Sequence, residues 1–143
     1  MREYLGFMSL MKEGYLKSVS SVCEKYDLTS AEFDVLLFLA NNPETDTATD
    51  IVEKRHMVKS QVSMSVRTLE ERGYLARTYK NNNRRTIHLI VCDKAEDAVR
   101  EGRDALNSAY GTIMQGFSET ERELMKKNIV RMTNNLEQYV SAY

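Results

Sequence analysis

The chain has 143 residues, is 42% hydrophobic and 29% charged, and carries a formal net charge of −1; this excludes disorder and allows one domain or two small intergrown lobes. No apolar run approaches the roughly 18 residues of a membrane span, and the start, charged at Arg2, Glu3, Lys12 and Glu13, has no cleavage site, so no membrane attachment and a cytoplasmic location are expected. Cys23 and Cys92 suit a reducing compartment better than a disulfide scaffold, and His56 and His88 have no ligand spacing to either, so neither metal nor cofactor is expected.

Apolar residues recur at Tyr4, Met8, Met11, Tyr15, Val19, Val22 and Tyr26, the spacing of one helix face. Leu5, Leu16 and Cys23 widen that stripe, which predicts a helix that touches its own domain and another chain. Asp27-Leu28-Thr29 interrupts it. Thr29 with Glu32 forms a capping box, Leu28 is placed to staple against Phe33, and an apolar helix over 30–40 follows until Asn41-Asn42-Pro43 stops it.

Thr47 and Asp50 repeat the capping signature before a short helix to about Arg55, with Ala48, Ile51 and Val52 inward. His56-Met57 form a turn, and a helix over 58–72 points Val58, Val62, Val66 and Leu69 inward. Gly73 is placed as a left-handed C′ residue with Tyr74 as the following apolar contact. The runs 75–79 and 85–92 read as strands, with Lys80-Asn81-Asn82-Asn83-Arg84 as the hairpin tip. Asp93 is expected to cap a helix reaching Phe117, with Ala95, Ala98, Gly102, Ala105 and Ala109 forming a face that lets another helix come close. Ser118 then opens a last helix whose Met125, Ile129, Met132, Leu136, Tyr139 and Tyr143 make a seam suited to packing between subunits.

Charge is unevenly spread. Positions 54–87 carry +7 and the remainder −8. A basic block inside an acidic chain is the footprint of a polyanion-binding surface, although most charge runs are only solvated. Here the block coincides with two close helices and a hairpin, which favours double-stranded DNA as the partner.

The order long helix, helix, short helix, second short helix, hairpin, two long helices resembles the MarR family of bacterial transcription regulators over the whole chain. LTSAEFDVLLFLA looks like the opening of the family's second helix, and SQVSMSVRTLEERGYLAR like its recognition helix. NRRTIHLIVCDKA looks like its wing. Asn83 stands where the family usually has a wing aspartate, Cys92 and Ala95 where it has Thr and Gly, and Met64 at a position that is often basic. The resemblance implies a mainly α fold with a small β-hairpin wing: a winged helix-turn-helix head over 29–92, and a long-helix dimerisation lobe from 1–28 and 93–143.

With the apolar face inward, Lys59, Ser60, Gln61, Ser63, Met64 and Arg67 remain for the major groove, where Gln suits adenine and Arg guanine. Arg84 and Arg85 at the hairpin tip are candidates for a narrow minor groove, and Arg85 matches the family's wing arginine. Lys59, Arg77 and Lys80 read as phosphate clamps. Some family members sense oxidants through a first-helix cysteine, but Glu24 beside Cys23 opposes an acidic thiol, and Cys23 and Cys92 are expected to be structural. The resemblance also implies a small aromatic effector, for which Tyr4, Met8, Met11 and Tyr15 are candidates, though such residues at helical spacing are more often plain packing. The expected function is a homodimeric, sequence-specific regulator, acting as a repressor on a pseudo-palindromic operator. The alternative is a helical protein-interaction adaptor that keeps the fold without reading DNA. No nucleophile–base pair points to an enzyme.

Overall fold

The computed structural model describes residues 1–143. Six helices and one hairpin follow in order: α1 (Arg2–Lys25), α2 (Ser30–Asn41), α3 (Ala48–Arg55), α4 (Lys59–Glu71), β1 (Leu75–Lys80), β2 (Asn83–Val91), α5 (Glu96–Ile113) and α6 (Glu119–Ser141). The mainly α winged-helix architecture expected from the sequence is present. No helix is long and apolar enough to cross a membrane.

Helix ends follow local chemistry. Thr29, Thr47 and Ser118 each accept from the backbone N–H three residues on, while Glu32, Asp50 and Glu121 return the bond, three complete capping boxes. At the end of α4 the Gly73 N–H donates to Glu70 O and the Tyr74 N–H to Leu69 O, with Gly73 at φ +74°; this is a Schellman closure. Asp27 plays the Gly73 role after α1 at φ +50°, with Leu28 N–H returning to Cys23 O.

The chain divides into two compact units, Met1–Ala109 and Tyr110–Tyr143. The first is built around α2, whose Phe33, Val35, Leu36 and Leu39 are buried with Val19 and Val22 of α1, Ile51 of α3, Val62 and Leu69 of α4, Leu75 and Leu89 of the hairpin, and Ala98 and Val99 of α5. The small-residue face of α5 receives α2 as the sequence suggested: a Cβ built on Gly102 would lie 2.2 Å from Phe33 Cε2. In the second unit α6 has no buried residue over its 23 positions.

Two expectations are corrected. Val58 is not inward; it is the N-cap of α4, in extended conformation and 66% exposed, because a residue before the first turn precedes the helical periodicity that buries Val62. The helix from Asp93 does not run to Phe117. A 3-10 turn over Asp93–Ala95 precedes α5, and α5 ends at Ile113, with Gly116 at φ +86° in the turn toward α6.

Candidate nucleic-acid interface

Helices α3 and α4 are joined by a turn in which His56 takes the left-handed conformation at φ +52°. Val58 then leads extended into α4, so only three residues, His56 to Val58, separate the two helices. Burial of Val62, Ser65, Val66 and Leu69 sets the rotation of α4. Lys59, Ser60, Gln61, Ser63, Met64 and Arg67 are all exposed, as the sequence predicted, and Met64 is 71% exposed. An apolar side chain so open to water is suited to contact with a base methyl group or sugar rather than with the core. Val58 offers no side-chain cap, so the first-turn N–H groups of α4 remain available to an anion beside Lys59 and Ser60.

The basic side chains fall into two sets. Arg77 donates through Nε and Nη2 to both oxygens of Glu70, the second at 2.9 Å, and so ties β1 to α4. Lys80 Nζ lies 2.8 Å from Asp46 Oδ2, while His88 Nδ1 lies 2.6 Å from Asp46 Oδ1 and Leu89 N–H donates to Asp46 O at 2.8 Å. Asp46 therefore fastens the segment before α3 to both strands. Burial alone would raise its carboxyl, but the hydrogen bonds from Lys80 and His88 outweigh that and hold it below the usual carboxylate range. Arg55 pairs with Asp34 at 3.3 Å, and Arg72 donates to the Tyr26 and Asp27 carbonyls. Arg67 meets Glu71 at 3.1 Å across an exposed i,i+4 pair, which is weak and easily exchanged for a phosphate. Lys54, Lys59, Arg84 and Arg85 have no acidic partner.

The wing differs from its sequence reading in one respect that matters. Its turn is Asn81-Asn82, both at positive φ (+53° and +58°), the pattern of a tight type I′ connection. Arg84 and Arg85 are not at the tip but within β2. Lys80 pairs with Asn83 and Thr78 with His88, so positions 84–87 stand opposite Tyr79 alone and β2 bulges. Asn83 Oδ1 accepts the Arg85 N–H at 2.9 Å, and the Arg84 guanidinium lies 5.7 Å from the Tyr79 ring centroid. Sequence reasoning missed Asp46, Glu70, Tyr79 and His88. Only the short Glu70–Arg77 separation hinted at a pair; Asp46 lies 34 residues from Lys80 and 42 from His88, and no local pattern joins them.

Of the four candidates for an effector, Tyr4, Met8 and Met11 are exposed on α1. Tyr15 is half-buried and hydrogen-bonds Asp34, so that Tyr15 of α1, Asp34 of α2 and Arg55 of α3 form one chain of contacts. Burial, then the Asp34 hydrogen bond and charge, push the Tyr15 phenol well above its ordinary value. Cys23 is half-buried and its thiol is also raised, by burial and by the charges of Asp34 and Glu32 rather than by Glu24. That opposes reactivity. Cys92 is half-buried at the exit of β2.

Comparison with known proteins points to one family. The sequence profile of the MarR family matches residues 26–85, from the end of α1 into the wing. The HTH-type transcriptional regulator BilQ of Clostridioides difficile is 25% identical over 117 residues, 79% of this chain and 78% of that protein. The HTH-type transcriptional repressor MdtR of Bacillus subtilis is 27% identical over 106 residues, 72% of this chain and 64% of that protein. A MarR family regulator from Listeria monocytogenes, solved with a 26mer DNA, superposes with a TM-score of 0.83 over 96% of this chain and 89% of that one, at 14% identity; that likeness speaks to the fold. With the profile lying on the helix-turn-helix and wing whose geometry is described above, this chain is similar to the MarR family of winged helix-turn-helix transcription regulators.

Proposed function

We propose that the protein acts as a homodimeric repressor, in the cytoplasm, on a pseudo-palindromic operator. Residues 29–92 serve as the reading head, and residues 1–28 and 93–143 as the dimerisation lobe. The observation that carries the reading is α4: a buried Val62-Val66-Leu69 face behind an outward row of Lys59, Ser60, Gln61, Ser63, Met64 and Arg67, with Lys59 free of any acid. In this reading α4 enters the major groove and Arg84 and Arg85 approach the flanking backbone or minor groove. Arg77 and Lys80 brace the wing and reach phosphate only by leaving Glu70 and Asp46.

Dimerisation is supported by apolar surface with no cover. Tyr4, Leu5, Phe7, Met8, Leu10 and Met11 of α1 are exposed, as are Ile129, Met132, Leu136 and Tyr139 of α6. Such faces on a charged chain call for a partner, and a second copy satisfies both at once. Release by a small aromatic ligand is supported by the Tyr15–Asp34–Arg55 chain, which links α1 to α3 so that a shift of α1 would move the head.

Selection of bound sequences from a random duplex pool tests the proposal. It should return two inverted half-sites whose centres lie about 10 bp or a multiple apart. A pool with no enriched duplex even at low salt refutes it in favour of an adaptor.

A further inference from the structure

The two wing arginines are held differently, Arg84 by a ring and Arg85 through its backbone. In an ordinary two-residue hairpin the strands leave the turn in register. Here β1 and β2 pair at Lys80–Asn83, lose register, and pair again at Thr78–His88, which leaves positions 84–87 arched opposite Tyr79. An arch of four residues has many conformations of similar energy unless something closes it. The Asn83 carboxamide does so from both sides: Oδ1 accepts the Arg85 N–H at 2.9 Å and Nδ2 reaches Thr86 Oγ1 at 3.5 Å. The half-exposed Tyr79 ring lies on the strand that the arch faces, with the Arg84 guanidinium 5.7 Å from its centroid, within cation–π range. Neither arginine has an acid to hold it, so no ion pair must break before an anion binds.

We propose that Tyr79 and Asn83 are positioning residues for the DNA contact, Tyr79 carrying the Arg84 guanidinium and Asn83 closing the bulge at the Arg85 backbone, so that both arginines leave the wing from a fixed backbone. This rests on the DNA-binding reading above. Holding the Arg84 guanidinium and the Arg85 backbone before the encounter removes part of the entropy that a free side chain and a loose arch would lose on binding. It also gives the bulge a function: a regular strand would send Arg84 and Arg85 to opposite faces, whereas an arch can turn both toward one partner.

Two double-mutant cycles on the full-length protein test it, with duplex affinity at fixed salt as the readout. Tyr79→Thr should weaken binding about three- to fivefold alone and have no further effect when Arg84 is already alanine. Tyr79→Phe, which keeps the ring, should match the parent. Asn83→Ala should weaken binding by a similar factor and have no further effect on an Arg85→Ala background. Unfolding midpoints should stay at the parent value. Equal losses with and without the arginine, or a Tyr79→Phe loss equal to that of Tyr79→Thr, overturn the assignment while leaving DNA binding intact. A parent chain that binds no duplex overturns both readings. Independently of DNA, the Arg84 Hδ protons should show an upfield ring-current shift that Tyr79→Thr abolishes and Tyr79→Phe retains; its absence from the free protein overturns the Tyr79 assignment.

Discussion

Gly102→Ala sets two effects of opposite sign against each other. Gly102 lies inside α5, where alanine should stabilise a helix by about 1 kcal/mol over glycine. The added Cβ, however, would lie 2.2 Å from Phe33 Cε2 and 2.4 Å from Cζ, against a carbon–carbon optimum of roughly 3.5–4.0 Å. Phe33 is 1% exposed, so its ring has nowhere to turn, and more than an ångström of relief must come from shifting α5 against α2. Overpacking a tight core costs about 1–3 kcal/mol, and a gap this short belongs at the upper end. The net expectation is a loss of about 1–2 kcal/mol, read as a lower urea midpoint at unchanged slope and fixed protomer concentration. Gly111→Ala in the same helix meets no atom within 4 Å and should instead gain up to about 1 kcal/mol. Phe33→Leu should relieve the clash, giving a coupling of roughly 1 kcal/mol or more with Gly102→Ala. If Gly102→Ala stabilises as much as Gly111→Ala, the α2–α5 contact is wrong.

Arg67→Ala should cost about 1–3 kcal/mol on the selected operator and far less on random duplex; equal losses in fluorescence anisotropy would make Arg67 a phosphate contact. Asp46 has a folded pKa below its unfolded value, so its stabilising contribution is present above the unfolded carboxylate range near pH 4 and is lost as pH falls through the folded value. The stability gap between the parent and Asp46→Asn should therefore shrink in acid unfolding curves below about pH 4; a gap that widens there contradicts the sign. Leu136→Asp should weaken self-association by about a hundredfold or more, since burial of each leucine is worth about 1.5–3 kcal/mol and symmetry counts it twice. Sedimentation of an unaltered dimer would show that Leu136 lies outside the interface.

What could be read from the chain and what could not divide along range. Thr29 with Glu32, Thr47 with Asp50, and Gly73 all act within four residues, and each does in the structure what its neighbours imply. The outward face of α4 was legible because one periodic set, Val62, Val66 and Leu69, fixes a helix's rotation. Val58 failed as an inward residue because periodicity extends only as far as helical geometry does. The bulge was invisible for a different reason. Strand propensity locates β2 but cannot say where its pairing slips, and the slip depends on Asn81 and Asn82 both accepting positive φ and on the Asn83 side chain closing the arch.

Charge shows the same limit with a consequence for binding. The +7 of positions 54–87 counts nine cations, but the fold employs several of them internally: Arg55 on Asp34, Arg77 on Glu70, Lys80 on Asp46, and Arg72 on two carbonyls. Lys54, Lys59, Arg84 and Arg85 remain free, and Arg67 is only loosely engaged. In the proposed dimer, two such heads would offer about eight to ten ready phosphate contacts rather than eighteen, which corresponds to a log–log salt slope of roughly −7 to −9 instead of about −16. Affinity should then fall on the order of ten-thousandfold or more between 50 and 200 mM salt. A measured slope near −16 would mean that DNA draws Arg77 and Lys80 away from Glu70 and Asp46. Binding would then be coupled to loosening of the wing base, and Asp46→Asn, which frees Lys80 in advance, should strengthen binding. With the shallower slope, Asp46→Asn should weaken it, because the wing loses the anchor that joins the segment before α3 to Lys80, His88 and Leu89.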